Sequence, residues 1–168
     1  DILVLAQKIV SKSEGRLVHL GEVTPSLQAV ELARRAEKDP RLVELVLQES
    51  REVLRARPGT IIVEHRLGFV CANAGIDSSN VAPETAGEEQ VLLLPQDPDA
   101  SAARIRAELG DLTGIETAIV IADSHGRPHR MGTVGVAVGA AGLPALQDWR
   151  GQPDLFGRAL RHTEVGLA

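Results

Sequence analysis

Apolar positions along the chain change period several times, and each change predicts an element. Ile2-Leu3-Val4-Leu5-Ala6 is an unbroken apolar run of strand length, followed by Lys8 to Arg16, where Ser-Lys-Ser-Glu-Gly reads as a loop. Thr24-Pro25 supplies an N-cap and a first helical residue and predicts a helix to about Lys38. Asp39-Pro40 repeats the device for a second helix to about Arg57, ended by Pro58-Gly59. Leu42, Val46, Leu47, Val53 and Leu54 form its expected apolar stripe, a core face. Thr60 to Val63 and Gly68 to Cys71 read as a hairpin or paired strands. The acidic, turn-rich stretch Pro83 to Gln90 is the expected mobile surface loop before a strand at Val91 to Leu94. Asp97-Pro98 caps a third helix to about Leu109. Strands then follow at Thr117 to Ala122 and Gly132 to Gly139, where Gly135, Gly139 and Gly142 suggest backbone lying close to a ligand or another strand. Because helices and strands mix without regular alternation, the expected class is α+β.

Composition narrows the functional classes. Aromatic content of 2% requires an aliphatic core, and a net charge of −5 argues against a general nucleic-acid surface. No apolar run approaches the length of a membrane span. Cys71, alone in an apolar strand, reads as a small buried hydrophobe in a reducing cytoplasm.

Two apolar strands run into Asp plus Ser: Asp77-Ser78-Ser79-Asn80 after the Cys71 strand, and Asp123-Ser124-His125-Gly126-Arg127 after the Thr117 strand. Two aspartates brought together repel unless a cation lies between them, and magnesium takes one or two carboxylates with phosphate oxygens. Turn capping by both aspartates is the alternative. Arg127 and Arg130 are candidates for anionic substrate groups, with a solvated face equally open to Arg130. His125 and His129 read as turn or surface residues, with metal ligation the alternative, and His19, His65 and His162 as solvent or edge residues. Trp149 reads as a core anchor, with stacking on a ligand's aromatic ring as the alternative, and Asp154 with Arg158 as a helix-surface ion pair. There is no P-loop, dinucleotide fingerprint or G-x-S-x-G elbow.

Five motifs in order carry a resemblance: Gln7 to Arg16, Ala72 to Asn80, Leu93-Leu94-Pro95 with Asp97-Pro98-Asp99, Asp123 to Arg127, and Asp148-Trp149-Arg150-Gly151 with Asp154 to Arg158. Together they resemble the coenzyme F420-0:γ-glutamyl ligase family, which includes the N-terminal ligase domain of bifunctional F420 biosynthesis proteins fused to a flavin-binding reductase domain. The resemblance implies a cytoplasmic, intertwined homodimer. It also implies a GTP- and metal-dependent ligase that adds L-glutamate to coenzyme F420-0, and γ-linked glutamates thereafter, through an acyl phosphate. Asp77 and Asp123 then resemble metal ligands, and Ser124 a contact to a second metal, with magnesium or manganese expected and a need for potassium left open. Lys12 and Asn80 resemble nucleotide contacts, and Gln7 and Lys8 hold the remaining nucleotide-loop positions. Asp77, Asp123 and Lys12 are the expected catalytic set. The same resemblance predicts one domain over 1–168, which could divide into 1–80 and 81–165, and leads to the expectation that a segment before Asp1 and another between Val165 and Gly166 are missing. A metal-dependent phosphohydrolase and a non-catalytic nucleotide-binding or dimerisation domain are the competing readings.

Overall fold

The computed structural model describes residues 1–79, 81, 89–126 and 131–168. Among them are four α-helices and several short sheets, both mixed and antiparallel, so the class is α+β as expected. The chain forms two compact units, 1–7, 97–124 and 134–168 in the first and 8–96 with 125–133 in the second.

The first unit carries a three-stranded sheet ordered β1-β7-β8, built from β1 (Ile2–Ala6), β7 (Ala118–Gly126) and β8 (Thr133–Ala141). β1 and β7 run parallel, with Ile2 opposite Ala118 and Ala6 opposite Ala122. Ile119, Val120 and Ile121 are buried, as a strand covered on both faces requires. Helix α4 (Pro98–Thr113) begins where the sequence predicts, with the Asp97 side chain accepting from the Ala100 N–H at 3.0 Å. It runs one turn past the expected end, to Gly114 in the left-handed conformation. Gly139 lies against the first turn of this helix, where an added Cβ would overlap the Pro98 carbonyl, so the close approach is to a helix and not to a ligand or strand. Gly142 lies against the Arg106 side chain and the Ala118 backbone at the start of β7, the close approach to another strand that the spacing suggested, whereas Gly135 faces open space. Beyond them, β9 (Leu146–Asp148) and β10 (Glu164–Gly166) pair antiparallel. Trp149 is 43% exposed there, which overturns its reading as a core anchor. Asp154 and Arg158 are not on a helix. The Asp154 carboxylate accepts the backbone N–H groups of Phe156 and Arg158, each at 2.8 Å, closing a turn.

The second unit differs from expectation in two elements. From Lys8 onward it includes α1 (Gln7–Ser13), a helix where the sequence suggested a loop; Gln7, Val10 and Ser11 form its buried face, a three- and four-residue spacing hidden by polar side chains. The capped helices α2 (Leu27–Ala36) and α3 (Pro40–Gln48) follow β2 (Leu17–His19). Ser26, rather than Thr24, caps α2, accepting from the Ala29 N–H at 3.2 Å. Helix α3 stops at Gln48, and Ser50–Arg57 is a strand, β3, because Val53 and Ala56 pack on the same core as Val43 and Val46 from a pleated edge. β3 pairs with β4 (Thr60–His65) through the Pro58-Gly59 turn, and β4 pairs with β5 (Val70–Ala72), both antiparallel. The sheet buries Ile61, Val63 and Cys71 against Ala29, Ala33 and Val43. Cys71 is thus the small core residue its neighbours predicted. A second layer joins Leu20, Leu45, Val91 and Leu93 around β2 and its antiparallel partner β6 (Gln90–Leu92).

Candidate functional site

The Asp77 segment is shaped by its backbone before any side chain acts. Asn73, Ala74 and Gly75 adopt φ values of 50°, 53° and 65°, three successive left-handed residues, two of them bearing a Cβ. Such conformations cost roughly 1 kcal/mol each for an L-residue and persist where surroundings over-determine them. Here the Asn73 Oδ1 accepts from the Ile61 N–H at 3.1 Å, extending β4 by one rung, and Ala74 is fully buried in the core. At Gly75 a Cβ would stand 2.9 Å from Leu94 Cδ1, so glycine alone lets the chain turn there. Asp77 then forms an isolated bridge, donating to the Leu92 carbonyl at 2.9 Å and accepting from the Leu92 N–H at 2.8 Å. Its carboxylate therefore projects from a backbone fixed on both sides.

Lys8, in the first turn of α1, reaches this segment. Its Nζ lies 3.2 Å from Asp77 Oδ1, and donates to the Ser79 carbonyl at 3.2 Å and the Ser79 Oγ at 3.0 Å. Three oxygens from one short segment thus converge on a single cationic nitrogen. Side-chain exposures of 28% and 25% keep the Lys8–Asp77 pair in contact with water, so its worth is at most about 1 kcal/mol. Lys12, four residues on along α1 and exposed, shares that helix face with Lys8. Gln7, at the start of α1, is buried.

Asp123 and Ser124 are carried differently. The sequence placed them in a loop beyond a strand end, but β7 continues through both to Gly126, so they are strand residues. Alternation puts Asp123 on the Ile119 and Ile121 face and Ser124, exposed, on the other. Asp123 belongs to the first unit and Asp77 to the second. Asn80, Arg127, Arg130 and His129 lie outside the described residues, as does most of the Pro83 to Gln90 loop.

Sequence reasoning missed a half-buried ionic cluster in the second unit. Glu49 Oε1 accepts from the Arg16 guanidinium at 2.9 Å and Oε2 from Arg66 Nε at 2.8 Å. The same arginines cap a run of carbonyls, Arg16 bonding to Leu94 at 2.8 Å and Arg66 to Gln96 at 2.8 Å. His65, expected at an edge, is fully buried and stacked on Phe69 with centroids 5.1 Å apart. Its Nδ1 accepts from the Leu67 N–H at 3.0 Å, which puts the ring proton on Nε2, 3.7 Å from Glu49 Oε2. Burial pushes His65 down to about 4, with Arg66 and Arg16 acting the same way and Glu49 opposing them. The cluster therefore holds a neutral imidazole beside a paired carboxylate. Glu49 lies 33 residues from Arg16 and 17 from Arg66, so no local pattern announces the cluster.

A divalent metal can be tested against these donors. Among the described residues no three His, Cys, Asp or Glu side chains gather as a ready-made ligand set. The carboxylate, carbonyl and hydroxyl oxygens around Lys8 Nζ are hard donors already surrounding a cation, and they suit a magnesium- or manganese-like ion that takes the rest of its shell from water or phosphate.

Comparison with known proteins bears on the whole chain. The model of the F420-0:gamma-glutamyl ligase family matches residues 1–168. The chain belongs to that family. Similar ligase-family proteins include the coenzyme F420:L-glutamate ligases of Methanothermobacter thermautotrophicus, 50% identical over 100% of this chain and 65% of the relative, and of Methanopyrus kandleri, 48% identical over 99% and 64%. That of Methanocaldococcus jannaschii is 44% identical over 100% of this chain and 65% of its own length. The chain thus spans just under two thirds of the length of these ligase-family relatives. Among the described residues no helix is long and apolar enough to cross a membrane.

Proposed function

We propose that the protein bearing this chain joins L-glutamate to coenzyme F420-0, and further glutamates through γ-linkages, at the expense of GTP and with a divalent metal. The observation that carries this reading is the family match across every residue of the chain, together with relatives bearing that ligase name at up to 50% identity.

The chemistry follows from the poor electrophilicity of a carboxylate, whose leaving group would be oxide. A carboxylate oxygen of the substrate attacks the γ-phosphorus of GTP, GDP departs, and the resulting acyl phosphate carries a good leaving group. The glutamate amine then attacks the acyl carbon, phosphate leaves, and the nitrogen gives up a proton. Such a sequence needs positioning and charge neutralisation more than a covalent residue. The bound metal would supply charge neutralisation on the transferring phosphoryl group. Asp77 and Asp123 are the proposed metal ligands and Ser124 a contact to a second ion, with magnesium or manganese as the metal. Lys8, Lys12, Gln7 and Asn80 are the proposed nucleotide contacts, and Lys12, with Asp77 and Asp123, completes the catalytic set. A lysine at a phosphate acts as a compact point charge, and one helix face presenting Lys8 and Lys12 supports that role. Arg127 and Arg130 are proposed to hold anionic groups of the substrate, and the active species is a homodimer.

The test is mass spectrometry of coenzyme F420-0 incubated with the full-length protein, GTP, magnesium and L-glutamate, with each component omitted in turn. Mass increments of glutamate in the complete mixture alone are expected. GTP hydrolysis that ignores glutamate would overturn the reading in favour of a phosphohydrolase.

A further inference from the structure

The contacts of Lys8 go beyond a role as a nucleotide-loop residue. Its ammonium sits among Asp77 Oδ1, the Ser79 carbonyl and the Ser79 Oγ, all within 3.2 Å, so a cradle of three oxygens is filled by a cation that belongs to the chain itself. The cradle is rigid on the Asp77 side, where the backbone is pinned to Leu92 and entered through the left-handed turn at Asn73 to Gly75. The filling group is the opposite. A lysine reaches through four carbon–carbon bonds and can swing without moving α1.

We infer that Lys8 is an exchangeable internal cation: it neutralises Asp77 until a divalent ion takes the same oxygens, and the displaced ammonium then turns to the phosphates that arrive with that ion. This rests on the proposed metal-dependent reading and gives Lys8 two successive anionic partners within it. Charge dictates the coupling. An ammonium and a divalent ion drawn to the same oxygens repel each other, so each weakens the other's hold, whereas a nucleotide phosphate rewards both in their exchanged places. Lys8 thereby links metal entry to phosphate capture.

Opposite signs in two binding measurements test the idea. The full-length protein and its Lys8→Met variant, with folding checked by circular dichroism, are titrated with Mn2+ alone and the free ion is followed by electron paramagnetic resonance; GDP binding is then measured at saturating Mn2+. The exchange predicts that K8M binds Mn2+ about tenfold more tightly yet binds GDP more weakly, and that Lys8→Arg, which keeps the charge, returns Mn2+ affinity toward wild type. Unchanged or weaker Mn2+ binding by folded K8M, in a protein whose Mn2+ binding Asp77→Asn abolishes, would overturn the exchange alone. If D77N binds Mn2+ as the wild type does, Asp77 is not a ligand, and both the exchange and that part of the functional reading fall.

Discussion

Asp77 and Asp123 both follow apolar strands and both precede serine, yet the two are built in different ways. Asp123 rides on the regular continuation of β7, two residues past fully buried Ile121, where strand alternation sets the face it occupies. Asp77 stands after three left-handed residues, in a bridge to Leu92, with a lysine from another element on its carboxylate. The lesson is that a short motif states the chemistry and not the scaffold. The strand position is set by its sheet, whereas the turn position draws on Leu92 and Lys8, brought to it from other parts of its unit.

Activity should separate least and fall furthest. Asp77→Asn and Asp123→Asn are each expected to lower glutamylation of coenzyme F420-0 at least about a hundredfold, as loss of a metal ligand would. Mass-spectrometric product formation checks both, and a variant retaining wild-type turnover would remove that aspartate from the site.

Stability should divide the two scaffolds more sharply. In the second unit Glu49→Ala leaves the Arg16 and Arg66 guanidiniums facing each other without their shared carboxylate, and is expected to cost about 3 kcal/mol in urea unfolding. Acid should act on the same cluster. His65 is held at about 4 in the folded chain against an ordinary 6.5, so the unfolded chain takes up a proton that the folded one refuses. The contribution is intact above pH 6.5 and is lost as pH falls toward 4, at about 1.4 kcal/mol per pH unit. Between pH 6.5 and 5 the wild type should therefore lose about 1.5 kcal/mol more than His65→Gln, read from unfolding midpoints. The first unit should respond to volume instead of charge. Gly139→Ala, which pushes a methyl into the Pro98 carbonyl, is expected to cost about 2 kcal/mol, while Gly135→Ala, into open space, should stay within about 0.5 kcal/mol. Equal effects at the two glycines would show that Gly139 is not a contact point.

What the sequence made legible was whatever sits within a few residues of its cause. Asp39-Pro40 and Asp97-Pro98 announced α3 and α4 because a cap and its helix are neighbours. The run from Val91 and the apolar stretch before Asp123 announced strands for the same reason. Residues 50–57 misled because Val53 and Leu54 continue the helical spacing of Val46 and Leu47, while the real end of α3, at Gln48, carries neither glycine nor proline. Residues 7–13 misled in the other direction, their polar composition masking a helix that tertiary burial of Gln7, Val10 and Ser11 supports. The residues of the proposed site were named from motifs, Asp77 and Lys8 singly. Their meeting was not legible, since only the folded chain brings α1 to the Asp77 segment. His65 was misjudged for the same reason, because a histidine's burial depends on Phe69, Arg66 and Glu49 closing around it.

The reciprocal bonds between Asp77 and Leu92 also make the segment self-reporting. Each amide hydrogen is held by the other residue's carbonyl, so neither can exchange with solvent deuterium unless the pair parts. The segment thus carries two backbone hydrogens whose exchange rates record, together, how often the floor beneath the Asp77 carboxylate comes open.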